Sequence, residues 1–305
     1  MHRYIPGMFH NVFGKRETVL RLSSGDTIIT STADAHGFDS QMREVAQRPN
    51  PLTGPFFVDG AQPGDTLAVD LEKITPNRRE GWSSNSIDPS IVDPSFAGAL
   101  PEKEYVQWQV DAKGRRLILR DQGWKHARLQ LPMEPMLGCI GVAPKESQLL
   151  SSMTSAEHGG NMDWRGCREG TRVYLPVFEE GALLYIGDGH AVQSDGEIGG
   201  TGVEISMTVQ LSVHLLKQKK ITWPRAEDSI CIYTIGNARP LFQALQHATT
   251  EMIRWLADEF QLDTISASIL MSQCVRYELA NVFDPAYSAV CKLEKTYLNN
   301  IGVLD

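Results

Sequence analysis

An α+β chain is predicted, strand-rich for three quarters of its length and helical near its end. Two observations carry this. Short apolar runs, several alternating with period two, recur between Gly, Pro and Asp punctuation up to about residue 210. From Pro240 onward the period changes to that of a helix face, and that order of strands then helices suits an α+β fold.

The elements follow in order. Thr18–Leu22, Thr27–Thr30, Thr66–Leu71, Arg116–Leu119 and Val173–Leu175 have the length and β-branched content of strands. Val203–Val209 alternates, with Val203, Ile205, Met207 and Val209 on one face. Between Pro76 and Pro101 the sequence is polar and rich in Pro, Ser and Asn, which predicts a long loop around Trp82 and Phe96. Leu241, Leu245, Ala248, Met252, Trp255, Leu256 and Phe260 trace one face of a helix, with Pro240 suited to its first turn. A second helix is expected from Thr264 to Leu279, capped by Asp263. The pair reads as a packing layer over a sheet, and Met252, Trp255 and Met271 need no cofactor to explain them.

The most informative stretch is Gly187-Asp188-Gly189-His190-Ala191-Val192-Gln193-Ser194-Asp195-Gly196-Glu197. It follows the apolar runs Tyr174–Val177 and Ala182–Ile186. Glycine permits backbone paths that a Cβ obstructs, so short acids and one imidazole can converge. Carboxylate oxygens with an imidazole nitrogen are a ligand set for a divalent metal. Asp-Gly pairs are equally the chemistry of a tight turn. A second Gly-rich cluster, Glu157-His158-Gly159-Gly160-Asn161-Met162-Asp163, lies about thirty residues upstream. One hairpin's worth of apolar sequence separates the two, so both can meet at one end of a sheet.

These residues resemble the acetamidase/formamidase family. The resemblance is carried by His158-Gly-Gly-Asn161-Met-Asp163, Leu175-Pro176-Val177, Gly181-Ala182-Leu183 and Gly187 through Glu197. It continues in Asn50-Pro51-Leu52-Thr53-Gly54-Pro55, Val58-Asp59-Gly60-Ala61, Pro63 through Leu67, and Pro135 through Pro144, spanning roughly residues 10 to 290 in the same order. It implies predominantly antiparallel β-sandwich or jelly-roll layers with a smaller C-terminal α/β portion. On that basis we divide the chain into a β-rich unit, 1–210, carrying the metal-site motifs, and an α/β unit, 211–305. Homodimers or multiples of dimers are implied too.

The implied activity is metal-dependent hydrolysis of a small aliphatic carboxamide to carboxylate and ammonia. Such a reaction needs a nucleophile, oxyanion stabilisation and a proton for the leaving amine; a bound metal supplies the first two and a carboxylate can move the proton. Asp188, His190 and Glu197 are the expected ligands, with Asp34 as a long-range partner, since the resemblance places an acid there. His36 is a further ligand or a turn residue. Asn161 and Asp163 bind substrate, orient a ligand, touch the metal, or bond their own turn. Glu157 and His158 are the alternative proton carriers to Glu197. The family has Gly where this chain has Ser194, so Ser194 lines the pocket, or else points to solvent or caps the turn. The segment after Asp34, His-Gly-Phe-Asp, is also less typical. A His among carboxylates points to zinc; an oxygen-dominated set accepts calcium.

Composition excludes other classes. The chain has 305 residues, 42% hydrophobic and 22% charged, with net charge −8 and a pI near 5.5. A nucleic-acid binder needs a concentrated basic surface, and Lys217-Gln-Lys219-Lys220 is too short a run to be one. No apolar run reaches the length of a membrane span, and Met1–Pro6 lacks the core of a secretory signal. Five widely spaced cysteines without a Cys-x-x-Cys fit reduced thiols in a cytoplasmic protein. Cys139 as a nucleophile lacks a neighbouring cation, and no serine sits in a Gly-x-Ser-x-Gly setting. The non-enzymatic alternative is a metal-stabilised jelly-roll that binds ligands or assembles.

Overall fold

Ten strands and two helices carry the architecture: β1 (Leu52–Val58), β2 (Thr66–Pro76), β3 (Met136–Gly141), β4 (Gly159–Asn161), β5 (Thr171–Pro176), β6 (Leu184–His190), β7 (Met207–Leu216), β8 (Cys231–Ala238), α1 (Leu241–Phe260), α2 (Thr264–Cys274), β9 (Arg276–Asn281) and β10 (Tyr287–Glu294). This is a computed structural model, and it describes residues 1–121 and 123–299.

A nine-stranded sheet runs His2–Arg3, Thr27–Ser31, β7, β2, β5, Arg225–Glu227, β8, β10, β9. A six-stranded sheet runs Ser155–Ala156, β4, β3, β6, β1, Leu20–Leu22. Pairing is antiparallel except at His2–Arg3 with Thr27–Ser31 and at Leu20–Leu22 with β1. The sheets share one core, in which Val69, Leu71, Leu175 and Val209 of the larger meet Phe56, Leu137, Ile140 and Ile186 of the smaller. The predominantly antiparallel layered α+β fold is therefore as expected.

Strands β8 and β10 of the large sheet are covered on both faces, and their sequence alternates accordingly. Tyr233, Ile235 and Val290 point into the sandwich. Ile232, Cys291 and Leu293 point out, onto Ala248, Met252, Trp255 and Leu256 of α1 and Met271 of α2. The helices are the packing layer that the 3.6-residue period predicted.

Several boundaries differ from expectation for physical reasons. The division expected near residue 210 falls inside β7, which lies between two other strands, and the large sheet continues through it to β9. Residues 300–305 of that second unit lie outside the described residues. The stretch from Pro76 to Pro101 holds a strand, Glu80–Ser84, because Tyr105–Asp111 supplies a pairing partner far along the chain. Pro240 is the cap before α1 rather than a residue of its first turn. Asp263 does cap α2, accepting from Ser266 N at 2.7 Å, but α2 ends at Cys274 because residues 276–281 join the sheet edge. Regular strand begins only at Met207. Val203–Ser206 is extended but is held by isolated bridges of Glu204 to Trp82 and to His190. Finally, β5 and β6 are not a hairpin: β5 lies in the large sheet and β6 in the small one.

The docking of α1 on β8 allows no extra atom at Gly236. A Cβ built there stands 2.1 Å from the Ala244 carbonyl oxygen and 2.5 Å from Ala248 N. Both are helix backbone and cannot turn aside. Gly236→Ala is expected to lower stability by about 1–3 kcal/mol, read as a reduced urea midpoint.

Candidate metal centre and substrate cavity

The upstream cluster and the later loop meet because β4 and β6 flank the same strand, β3. Cys139 of β3 pairs with Asn161 on one side and Gly187 on the other. Gly138 beside it carries no side chain, and two carboxylates occupy the space. A Cβ there would lie 2.4 Å from Asp163 Oδ1 and 2.7 Å from Asp188 Oδ2. Asp163, Asp188 and Glu197 all have left-handed backbones, with φ of 45°, 53° and 47°. Such conformations cost non-glycine residues roughly 1–3 kcal/mol each and concentrate at functional sites.

Two overlapping groups of potential ligands result: Asp163, His190 and Glu197, and Asp188, His190 and Glu204. Within each group the ligand atoms all lie within 4.8 Å of one another. His190 Nε2 is 3.0 Å from Glu204 Oε1 and 3.5 Å from Asp188 Oδ1. All five side chains are buried. Asp163 Oδ1, Asp188 Oδ1, His190 Nε2 and Glu204 Oε2 have no well-aligned hydrogen-bond partner in the protein. Buried polar atoms are rarely left so, and a divalent cation among these donors would satisfy all four. The residues therefore fit a metal.

The imidazole is set for that task. Gln193 Nε2 donates to the carbonyls of Asp163 at 2.5 Å and Ala280 at 3.3 Å. Its Oε1 therefore faces His190 Nδ1 at 2.7 Å and takes the Nδ1 proton. Nε2 is left with its lone pair toward the carboxylates, the arrangement that orients metal-binding histidines.

A second amide organises the acids. Asn281 Oδ1 accepts from the backbone of Phe283 and Asp284, which fixes the amide's orientation. Its Nδ2 then lies 2.7 Å from Asp163 Oδ2, 2.7 Å from Asp284 Oδ2 and 3.1 Å from Glu197 Oε2. Asn50 Nδ2 donates to Asp188 Oδ2 at 3.0 Å and Asn161 Oδ1 at 3.2 Å. Asn161 Nδ2 donates to Asp284.

With protein groups alone the acids are crowded. Burial and the Asp284 and Asp188 charges push Asp163 well above the usual carboxylate range. Burial, Asp163 and Asp284 do the same to Glu197. Burial lifts Glu204 to about 7 and Asp284 to about 6. Burial would lower His190, but Glu204 and Asp188 overcome it and hold the ring well above its ordinary value.

Above the centre lies a cavity of about 270 Å³, with Asp188, Glu197, Glu204 and Asp284 facing it from below. His36 stacks on Trp82 at 3.7 Å, and Tyr105 stands edge-on to both.

Several expected site residues stand elsewhere. Asp34 is buried, but its oxygens are taken up by Arg78 at 2.5 Å, Trp82 Nε1 at 3.1 Å and the backbone of His36 and Phe38. It anchors the cavity wall and joins neither ligand group; nor does His36, whose ring is spent on stacking. Glu157 is at the surface, paired with Lys145 at 3.0 Å. His158 is buried against Phe13, with both nitrogens unbonded, and neither residue lines the cavity. Ser194 is exposed and makes no capping hydrogen bond. Cys139 is buried beneath Asn161, and burial with the nearby carboxylates pushes its thiol far up, opposite to what a nucleophile requires.

Glu204, Asn281, Asp284 and Asn50 went unnoticed in the sequence as site residues. Glu204 had a readable signal: it is a lone acid within the apolar run Val203-Glu204-Ile205-Ser206-Met207. Asn281 and Asp284 had none, since they reach the centre only through the fold.

The family model described as the Acetamidase/Formamidase family matches residues 8–157 and 150–253. The chain belongs to that family. It is similar to the crystal structure of acetamidase from Yersinia enterocolitica, with 32% identity, a TM-score of 0.83, and coverage of 95% of this chain and 89% of that one. It is likewise similar to the crystal structure of acetamidase from Bacillus halodurans, with 30% identity, a TM-score of 0.84, and coverage of 99% and 100%. A putative formamidase of Schizosaccharomyces pombe is 26% identical over 215 residues, 54% of this chain and 52% of that protein. The chain spans between about half and two thirds of the length of the curated relatives it matches.

Two measurements probe these assignments. Asn281→Ala removes the shared donor of three carboxylates and is expected to weaken divalent-metal affinity by about 10–100-fold, read by chelator competition. His158, pushed down to about 4 by burial, is neutral in the folded protein, whereas the unfolded chain protonates it near pH 6.5. Its contribution is whole above pH 6.5 and is lost as pH falls to about 4, a change of about 3 kcal/mol. In denaturant titrations His158→Leu should flatten the stability profile across that window; an unchanged slope would contradict the assignment.

Proposed function

We propose that this protein hydrolyses carboxamides to a carboxylate and ammonia with a divalent metal at the buried centre. Family membership supports the reaction type. The single observation that carries the metal dependence is the convergence of four unpartnered buried donor atoms, on Asp163, Asp188, His190 and Glu204. Asp163, Asp188, His190 and Glu204 would hold the ion, with Glu197 beside them. The imidazole favours zinc and the excess of carboxylate oxygens accepts calcium. When bound, the ion polarises the amide carbonyl and acidifies water.

The chain's own residues do the rest. Gln193 keeps the Nε2 lone pair of His190 aimed inward. Asn281 and Asn50 hold the acids apart in fixed directions. Glu197, at the cavity floor, is our carrier of the proton from water to the departing amine. The wall of His36, Trp82 and Tyr105 limits access of bulk water. Asn161 lines the same cavity and is our candidate for orienting the substrate amide.

The five cysteines are free, which supports a reducing compartment, and we carry forward a cytoplasmic enzyme. No helix among the described residues is long and apolar enough to cross a membrane. The homodimer implied by the resemblance has a candidate face in exposed Ile265 and Ile269 of α2 and Tyr277 and Leu279 of the edge strand β9.

Ammonia release from short amides, with and without chelator, tests the reading. His190→Ala should lose the metal by elemental analysis, lose turnover and melt at lower temperature. Glu197→Gln should retain metal and drop kcat by about 10²–10⁴ if Glu197 moves the proton; loss of metal instead makes it a ligand. A metal-free wild type that still hydrolyses amides would falsify the proposal.

A further inference from the structure

The cavity above the metal centre is too large, and its rim too cationic, for formamide or acetamide alone. Its volume of about 270 Å³ compares with about 30 Å³ per molecule in liquid water. Formamide has three heavy atoms and, even beside a metal ion, would leave most of that space to water. The charge is divided along the cavity. The acids Asp188, Glu197, Glu204 and Asp284 face it, and they belong with the metal centre. Arg48 and Lys103 also line it, and both are exposed. Neither takes part in a salt bridge among the described residues. Lys103 Nζ stands 5.0 Å from the Phe283 ring centroid. Glu102 and Glu104 flank Lys103 in sequence, yet neither lines the cavity. Two exposed cations without a salt bridge, lining one cavity, run against the trend of a chain whose net charge is −8.

Resting on the amidase reading above, we propose that the substrate is an amide whose acyl chain ends in a carboxylate, with the amide at the metal centre and the carboxylate at Arg48 and Lys103. Water adds at the amide carbon and the C–N bond breaks. The products are a dicarboxylate and ammonia. The guanidinium and ammonium groups recognise the distal carboxylate through charge-assisted hydrogen bonds. The intervening methylenes lie along Trp82, Tyr105 and Phe283. A chain of this kind also keeps its negative charge away from the acidic floor.

The experiment compares kcat/KM of the metal-loaded enzyme for succinamate, its neutral isostere 4-methylpentanamide, cationic 4-aminobutanamide, phenylacetamide and acetamide. Succinamate should exceed 4-methylpentanamide on the order of tenfold, mostly through KM, and 4-aminobutanamide should be poorest. Raising ionic strength should shrink the ratio. In the double variant Arg48→Ala/Lys103→Ala the ratio of succinamate to 4-methylpentanamide should fall to about one. A general loss of structure would lower both substrates and leave the ratio alone. Equal use of the two by the wild type, a ratio preserved in the double variant, or phenylacetamide leading the panel overturns this inference and leaves the amidase reading standing. No turnover of any amide, acetamide included, sinks both.

Discussion

Five carboxylates and one imidazole are buried at a single point, and much of the surrounding structure is arranged to hold them there. A buried charge without a partner is among the costliest features a fold can carry. Here Asp163, Asp188, Glu197, Glu204 and Asp284 share one region with the imidazole of His190. Asp34, close by, has Arg78 to itself. The three left-handed acids, the missing side chain at Gly138 and the amide hubs at Gln193, Asn281 and Asn50 all stand against that repulsion. A divalent cation is the simplest species that balances the arrangement, so metal binding and folding stability should be linked at this point.

The sandwich is what brings the pieces to one place. β3 lies between β4 and β6, so residues 139, 161 and 187 come side by side although they are scattered over nearly fifty positions. The bridge of Glu204 to His190 and Trp82 ties the small sheet to the paired strands Glu80–Ser84 and Tyr105–Asp111, which carry Trp82 and Tyr105. The end of β9 and the turn after it reach in from the far edge of the large sheet with Asn281 and Asp284. A rigid layered core thus positions acids drawn from five separate segments, which a single loop could not hold with the same accuracy.

Burial divides the charged lining of the cavity into the buried acids, its floor, and the exposed cations Arg48 and Lys103, its rim. The floor is insulated by burial, where charges act strongly on one another. The rim is open to solvent, where they are screened. Reaction type and substrate choice can therefore reside in different residues, and changes at the rim need not disturb the centre.

The strands β9 and β10, which return to the large sheet after the helices, were not legible in the sequence; the strand-rich first three quarters, the face of α1, the Asp263 cap and the acidic glycine-rich motifs were. Each rests on local periodicity or turn chemistry, which neighbouring residues suffice to specify. The sequence singled out Asp163, Asp188, His190 and Glu197 because they cluster within short glycine-rich runs. Only the tertiary structure decided which acids meet. Asp34 looked like a partner but is satisfied by Arg78, forty-four residues away. Glu204, Asn281 and Asp284 join the site through strand pairing and the packing of one sheet edge on the other layer. Glu157 and His158 sit close to Asn161 in sequence, but in the turn that precedes β4, where Glu157 pairs with Lys145 and His158 packs on Phe13. The direction of a turn residue is set by what packs against it, so proximity along the chain could not tell a wall residue from a ligand.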